Sequence, residues 1–325
     1  MSADSGARDL GSADAGIDAL RKVVDTRLHD ILDRRQPGTL RVAFSGGLDS
    51  TVLLDLLSSI ELPDGWSLSL AHVNHGLAAE ADQWQAHCKS IAEKYGLCCE
   101  VARLEVARSG NVEANARAAR YQFFAELAQA NDLFLTAHHA DDQVETVLLK
   151  LLQGRAFKGM AEVSKVGGVT IFRPLLATSQ TELVAYGQAR QLSWVEDPSN
   201  ADVGYDRNYL RARILPALVS RWPEIREKLA RRLVSNEAIG DVAKFEIDRY
   251  RAQNPDGVRI VDLPSDPYAA IAWLRLYLET GGHYQVTDAA LKEFVTQVRA
   301  ERRAKVAWRG GGLVVRRALI CMVKD

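Results

Sequence analysis

Residues 40–54 read Leu-Arg-Val-Ala-Phe-Ser-Gly-Gly-Leu-Asp-Ser-Thr-Val-Leu-Leu. The apolar run ending at Phe44 has the make-up of a buried strand, Gly46-Gly47 make a turn, and a helix is expected to start near Asp49. Two glycines let backbone N–H groups come close to a ligand. Ser45, Ser50, Thr51 and the helix N-terminus add donors at the positive end of a helix dipole. Such a stretch cradles phosphate. It is not a Walker A loop, because no Gly-Lys-Ser/Thr follows, and the missing lysine argues against transfer or hydrolysis at a γ-phosphate. A plain strand, turn and capped helix would give the same pattern, so the neighbouring strand ends decide between the two.

Further apolar runs end at Val73, near Arg103 and at Ala137, roughly thirty residues apart, the length of a strand plus a crossover helix in a parallel sheet. Helix-like stretches fill the gaps at about 50–60, 79–95 and 113–130. The pattern predicts an open, doubly wound α/β domain with a parallel sheet. Before it, Ile17, Leu20, Val24, Leu28, Ile31 and Leu32 keep helical spacing until Pro37-Gly38, and residues 1–16 are small and polar, the composition of a disordered tail. Between Gly154 and Pro198 the pattern loosens into loops, although 180–190 still reads as helix. The expected organisation is a tail at 1–16, a catalytic domain at 17–205, a basic linker at 206–222, and a smaller, mostly helical domain at 223–325. Short strands are expected there around Val306-Ala-Trp and Leu313-Val-Val.

A chain of 325 residues suits two domains. No apolar run approaches the ~18 residues that span a bilayer, and the N-terminus has no secretion signal, so no membrane association and a cytoplasmic location are expected. Cys88, Cys98, Cys99 and Cys321 show no C-x-x-C spacing, which predicts reduced thiols and no zinc or iron–sulfur site. A net charge of -1 excludes a polycation that coats nucleic acid, so any such contact must be local. The segments 207–232 and 299–325 each hold eight Lys/Arg against two acids, which is also what a solvated charged face looks like.

In open α/β sheets ligands bind outside the carboxyl ends of the strands. The unusual polar residues of this sequence fall at those ends: His72-Val-Asn-His-Gly, Gly110-Asn-Val-Glu followed by Arg117 and Arg120, and His138-His-Ala-Asp-Asp-Gln-Val-Glu-Thr. His138, Asp142 and Glu145 stand at i, i+4 and i+7, one face of a helix expected to begin there. That face could hold Mg²⁺ through oxygen ligands or take a proton from a nucleophile. It could equally be a capped helix with a charged stripe.

Ser45-Gly-Gly-Leu-Asp-Ser resembles the S-G-G-x-D-S loop of the N-type ATP pyrophosphatases, which cleave ATP between the α and β phosphates and adenylate a substrate. The likeness extends further. His72-Val-Asn-His-Gly-Leu, Glu113-Ala-Asn-Ala-Arg-Ala-Ala-Arg-Tyr, His138 to Thr146, Arg173-Pro-Leu-Leu, Asp197-Pro-Ser-Asn and Arg207-Asn-Tyr-Leu-Arg resemble, in order, the tRNA(Ile)-lysidine synthetases. The resemblance covers about residues 40–220 with specific motifs, and the C-terminal part more weakly. It implies an adenine nucleotide alpha-hydrolase-like fold and a ligase that joins L-lysine to C2 of the wobble cytidine of a CAU-anticodon tRNA(Ile). ATP would activate the base as an adenylate, and the lysine amine would displace AMP.

The resemblance further implies that ATP is held by Ser45, Gly46, Gly47, Leu48, Asp49, Ser50, His72 and Asn74, and Mg²⁺ by Asp49. Asp49, His138, Asp142, Glu145, Arg117 and Arg120 would be catalytic. A lysine amine of pKa ~10.4 must lose a proton before it attacks, so a carboxylate or imidazole is needed near it. Arg207, Asn208, Arg211 and Arg213 would contact tRNA phosphates. Two departures stand out: relatives read Arg-Gly-Ser-Gly where this chain has Gln153-Gly-Arg-Ala, and many have Arg where Ala78 stands. Full-length relatives often carry a further C-terminal domain, and none is expected within residues 1–325. Rival readings are a 2-thiocytidine thiolase, whose cluster cysteines are missing, an ammonia-using amide synthetase, and a non-enzymatic ATP-binding module. Lysine selection, rejection of tRNA(Met), the identity of the base and oligomeric state, a homodimer included, stay open at this level.

Overall fold

The computed structural model describes residues 6–323 apart from 77–78, 105–111, 154–158, 283–285, 301–303, 309–310 and 317. Ala78 and residues 154–156, the two departures, lie outside the described residues. The chain divides into two compact units, 1–233 and 234–325.

In the first unit, helix α1 (Gly6–Leu32) is followed by β1 (Thr39–Ala43), α2 (Leu48–Ser58), β2 (Ser67–Asn74), α3 (Ala81–Lys94), β3 (Cys99–Arg103), α4 (Val112–Leu127), β4 (Leu133–Leu135) and α5 (Ala140–Leu152). Then come β5 (Val163–Val166), β6 (Val169–Phe172), α6 (Gln180–Ala189), α7 (Asp206–Tyr209), a π-helical turn (Leu210–Ile214), α8 (Leu215–Arg221) and the start of α9 (Ile225–Gln253). Helix α1 starts within the stretch whose composition reads as a tail. Ala7, Leu10, Ala13 and Ala15 are good helix formers that carry the helix back from Ile17.

The six strands lie in the order β3-β2-β1-β4-β6-β5, and all neighbouring pairs are parallel except β5–β6. The chain moves outward from β1 to β3 and then returns to the other side of β1 as β4, so the switch point of the sheet lies between β1 and β4. A buried ion pair pins it: Arg41 Nε donates to Asp132 Oδ2 at 2.6 Å, and Asp132 also accepts from the Thr39 and Gln129 amides. Leu40, Val42, Phe44 and the apolar α2 residues Val52 to Leu54, Leu56 and Leu57 form the centre of the core. Helix α2 is apolar almost all round because α1, α6 and the sheet cover it. Its buried Asp55 accepts from Tyr95 Oη, Tyr186 Oη and Arg190 Nε at 2.7, 2.7 and 3.0 Å, tying α2 to the end of α3 and to α6.

The stretch expected to be loops contains a hairpin. Gly167 and Gly168, with φ of 59° and 87°, join β5 to β6 as a two-residue turn that needs positive φ at both positions.

In the second unit the rest of α9 leads to β7 (Val258–Arg259), α10 (Pro267–Thr280), α11 (Asp288–Arg299), β8 (Lys305–Trp308), β9 (Gly311–Arg316) and β10 (Leu319–Val323). Helices α10 and α11 are its main helical elements. They come with a four-stranded antiparallel sheet, β7-β10-β9-β8. The unit has its own core, built on Leu274, Leu278, Leu291, Phe294, Val295 and Ile320. The division between units falls inside α9, so residues 206–222, expected as a linker, belong to the first unit. Among the described residues no helix is long and apolar enough to cross a membrane.

Candidate active site

The loop after β1 takes the expected shape. Gly46 has φ of 81°, and a Cβ there would sit 2.9 Å from Cys88 Sγ, so the position accepts only glycine. Gly47 caps α2 with extended backbone and no side-chain cap, which leaves the helix N-terminus facing the turn. Ser45 Oγ and Ser50 Oγ lie 3.0 Å apart, and the Gly47 amide donates to Ser45 Oγ at 3.3 Å. Ser50 and Thr51 hydroxyls donate back to the Gly47 carbonyl at 3.0 and 2.9 Å and hold the turn against the helix. Leu48 opens α2 and packs beneath the loop, close to Gly187 of α6.

Asp49, in the first turn of α2, points across the switch point to the loop after β4. Its Oδ2 lies 3.7 Å from His139 Nε2, and its buried Oδ1 has no hydrogen-bond partner. Burial raises the Asp49 pKa, with His139 and Arg211 pulling down and Asp142 and Asp141 pushing up. The sequence readings of β1 and β4 therefore meet in one place: the cradle and the acidic helix face each other.

Helix α5 begins later than the spacing suggests. His139 is its N-cap, and the His139 amide donates to Asp142 Oδ2 at 3.1 Å in a capping box. His138 thus lies before the helix, and the expected i, i+4, i+7 face does not exist. The His138 ring instead bonds Thr136 Oγ1 at 2.8 Å through Nδ1. Burial, and then the Arg173, Arg117 and Arg207 charges, take its pKa to about 4 against the pull of Asp142. A neutral imidazole this weak is a hydrogen-bonding group and a poor acceptor for an ammonium proton. The histidine that does face Asp49 is His139, 1% exposed in its side chain and also 3.6 Å from Asp142 Oδ2. Sequence reading passed over it and over Asp141. Asp141 accepts from the Gln180 amide at 3.0 Å and pairs with Arg226 at 2.6 Å.

Asp142 and Glu145 do share a face of α5, and arginines from the segment after residue 205 cover it. Arg211 donates to Glu145 through Nε at 2.6 Å and Nη2 at 3.0 Å, and reaches Asp142 Oδ1 at 3.4 Å. Arg207 pairs with Glu145 Oε2 at 3.1 Å and donates to Thr146 Oγ1 at 3.0 Å. Glu145 is fully buried; desolvation raises its pKa and the Arg211 guanidinium counters the rise. Asp142 is held low by the neighbouring histidines and Arg207 despite its burial. The arginines expected at RNA phosphates are thus seated on the acid cluster. Asn208 is used within the chain as well, donating to the Ser199 and Asp202 carbonyls, whereas Arg213 is exposed.

Of the remaining expected site residues, His72 donates from Nδ1 to the Phe44 carbonyl at 2.8 Å, beside the cradle, and its buried Nε2 has no partner. Asn74 turns its amide inward, to Asp82, Gln85 and the Gly76 amide, and shapes the loop after β2. Arg117 is exposed with its guanidinium 5.0 Å from the Tyr121 ring centroid, and Arg120 is exposed on the same helix. Burial together with the Arg120 charge takes the His75 pKa to about 4. Among the described residues no three His, Cys, Asp or Glu side chains gather as a ready metal cage. Mg²⁺ is characteristically held by one or two carboxylates plus phosphate and water, and the partnerless Asp49 oxygen beside the cradle fits that mode. An open cavity of about 820 Å³ lies elsewhere, between α1 residues such as Arg21 and His29 and the 59–64 loop. It contains none of these groups, and the chemistry rather than the volume marks the site.

A family model described as a PP-loop domain matches residues 20–218. The chain is 44% identical over 243 residues to the tRNA(Ile)-lysidine synthase of Pseudomonas fluorescens (strain Pf0-1), taking in 72% of this chain and 54% of that protein. It is 47% identical over 196 residues to the protein of the same name from Escherichia coli O157:H7, taking in 58% and 45%. The chain spans about half the length of such curated relatives. Among solved structures, the U34-tRNA thiolase NcsA from Methanococcus maripaludis, with its 4Fe-4S cluster, has a TM-score of 0.58 at 17% identity, covering 69% of this chain and 79% of that one. At that identity the likeness is one of fold.

Proposed function

Because the chain belongs to the PP-loop family, we propose that it binds ATP at the 45–50 cradle and uses it to join L-lysine to the wobble cytidine of CAU-anticodon tRNA(Ile). One observation carries this reading: Asp49, directly after the cradle, stands 3.7 Å from His139 at the end of β4, so phosphate-binding and acidic groups share one switch-point crevice. The PP-loop family model spans that crevice, and the names of the relatives support the choice of substrate.

In the first step the C2 oxygen of the cytidine attacks the α-phosphorus and pyrophosphate leaves. The N–H groups of the turn and the α2 dipole take the negative charge of the phosphates. Asp49 Oδ1 would be the protein's ligand to Mg²⁺, which when bound neutralises phosphate charge. In the second step the lysine side-chain amine, having lost its proton, attacks C2 and AMP departs. With Asp49 engaged by the metal, Asp142, beside His139 and Arg211, is the carboxylate that would attract the ammonium and receive its proton. Glu145, saturated by Arg211 and Arg207, works through them, holding two guanidiniums at the edge of the site where they offset developing charge.

Incubation with ATP, Mg²⁺, L-lysine and unmodified tRNA(Ile) is expected to release AMP and pyrophosphate only when lysine and tRNA are both present. Mass spectrometry of the wobble nucleoside should show the added lysyl mass. AMP release indifferent to lysine would sink the assignment and favour another pyrophosphatase chemistry.

A further inference from the structure

Helix α7 and the turns that follow carry two sets of residues on opposite sides. Arg207 and Arg211, four residues apart, point inward onto Glu145. Tyr209 is offset from Arg207 by two residues, about 200° around a helix, and Tyr205 is the extended N-cap of α7. Their side is the solvent side: Tyr205 is 43% and Tyr209 48% exposed. Trp222, at the end of α8, is 52% exposed, and the Arg221 guanidinium lies 5.7 Å from its ring centroid. Arg213 and Arg221 are themselves exposed, and the stretch 207–232 holds eight Lys/Arg against two glutamates. Large rings seldom stay in water on a helix without a partner to cover them, and here they alternate with arginines at the rim of the acid cluster.

We propose that Tyr205 and Tyr209, with Trp222 beyond them, form a stacking face for unpaired nucleobases of the RNA that enters the site. Aromatic rings accept any base through its π-face, while interleaved arginines meet the phosphates between bases. A base resting on either ring is held on the solvent side of the short helix whose Arg207 seats on Glu145. The face therefore presents a splayed, single-stranded loop and would have no hold on a closed duplex. The inference rests on the RNA substrate proposed above.

The test uses the whole chain and a CAU-loop hairpin RNA in which a loop adenine is replaced by 2-aminopurine, with a fully paired duplex of the same length as control. Wild type is expected to bind the hairpin more tightly than the duplex and to quench the 2-aminopurine. Tyr205→Ala/Tyr209→Ala should lose about tenfold in affinity per ring, together with the quench, with an unchanged salt slope. Tyr205→Phe/Tyr209→Phe should bind as wild type, because the ring and not the hydroxyl does the stacking. Arg213→Ala should keep the quench and lower the salt slope by about one. Unchanged hairpin affinity and quench in the double alanine variant would overturn the stacking face alone. A wild-type protein that binds hairpin and duplex equally, or neither, would overturn the RNA reading with it.

Discussion

His139 shows how a single position decides the chemistry of a site. Two adjacent histidines precede α5, and sequence spacing favours the first because it falls in register with Asp142 and Glu145. The capping box shifts the helix start by two residues, so that the first histidine turns to Thr136 and the second to Asp49. Neither histidine's direction is written in periodicity, because an N-cap has non-helical backbone and breaks the phase. Residue-level signals that do not depend on phase were legible: Gly46-Gly47 form the turn expected of them, and Asp142 and Glu145 share one face of α5. His138 carries a pH signature. Its folded pKa, about 4, lies below the ordinary 6.5, so the unfolded chain binds the proton first. The stabilisation is complete above pH 6.5 and is lost as pH falls toward 4, with a slope of about 1 kcal/mol per pH unit. Urea unfolding between pH 4.5 and 7 (roughly the window set by those pKa values) should show a shallower pH slope in His138→Gln than in wild type. Equal slopes would mean that His138 titrates normally in the folded chain.

At the scale of elements, α5 and the 206–226 segment behave as one piece. Arg207, Arg211 and Arg226 seat on Glu145, Asp142 and Asp141, all on the first half of α5. A basic stretch rich in arginine reads in sequence as an RNA-binding linker, and composition cannot reveal that acids seventy residues or so upstream will claim its guanidiniums. Glu145→Gln would leave Arg211 and Arg207 facing a neutral amide in a buried site. A loss of about 1–3 kcal/mol in unfolding free energy is expected, less than for a fully buried pair because the arginines are partly exposed. Turnover should fall at least a hundredfold while RNA affinity changes little; a variant as stable and as active as wild type would refute this role. The β5–β6 hairpin was legible in principle. Val-Gly-Gly-Val between alternating residues is a two-residue turn signal, which the surrounding glycines and Pro174 obscured.

For the whole molecule, the strand ends and crossover helices of the first unit followed from the thirty-residue rhythm, since each βαβ repeat must bury the same kind of face. The second unit was less legible. Its strand β7 is two residues long and pairs with β10 across some sixty residues that include α10, α11, β8 and β9, a non-local partnership that no local pattern announces. The two units have separate cores. Leu274→Ala, at a fully buried position, should destabilise the second unit by about 2–5 kcal/mol. Amide exchange should then quicken in α10 and α11 while protection of β1 and α2, and ATP affinity, stay as in wild type. Uniform loss of protection across both units would show a single cooperative body.

The pairing of Leu40–Val42 with Leu133–Leu135 has a consequence for the protein as it is made. On a ribosome the glycine turn emerges early and waits, with an open flank, through nearly a hundred further residues until the neighbouring strand arrives and Arg41 meets Asp132. The acids of α5 then wait again for the guanidiniums of Arg207 and Arg211. Nascent chains halted before Arg211 should therefore be unable to retain nucleotide, and capture of ATP would mark the moment when this part of the polypeptide is complete.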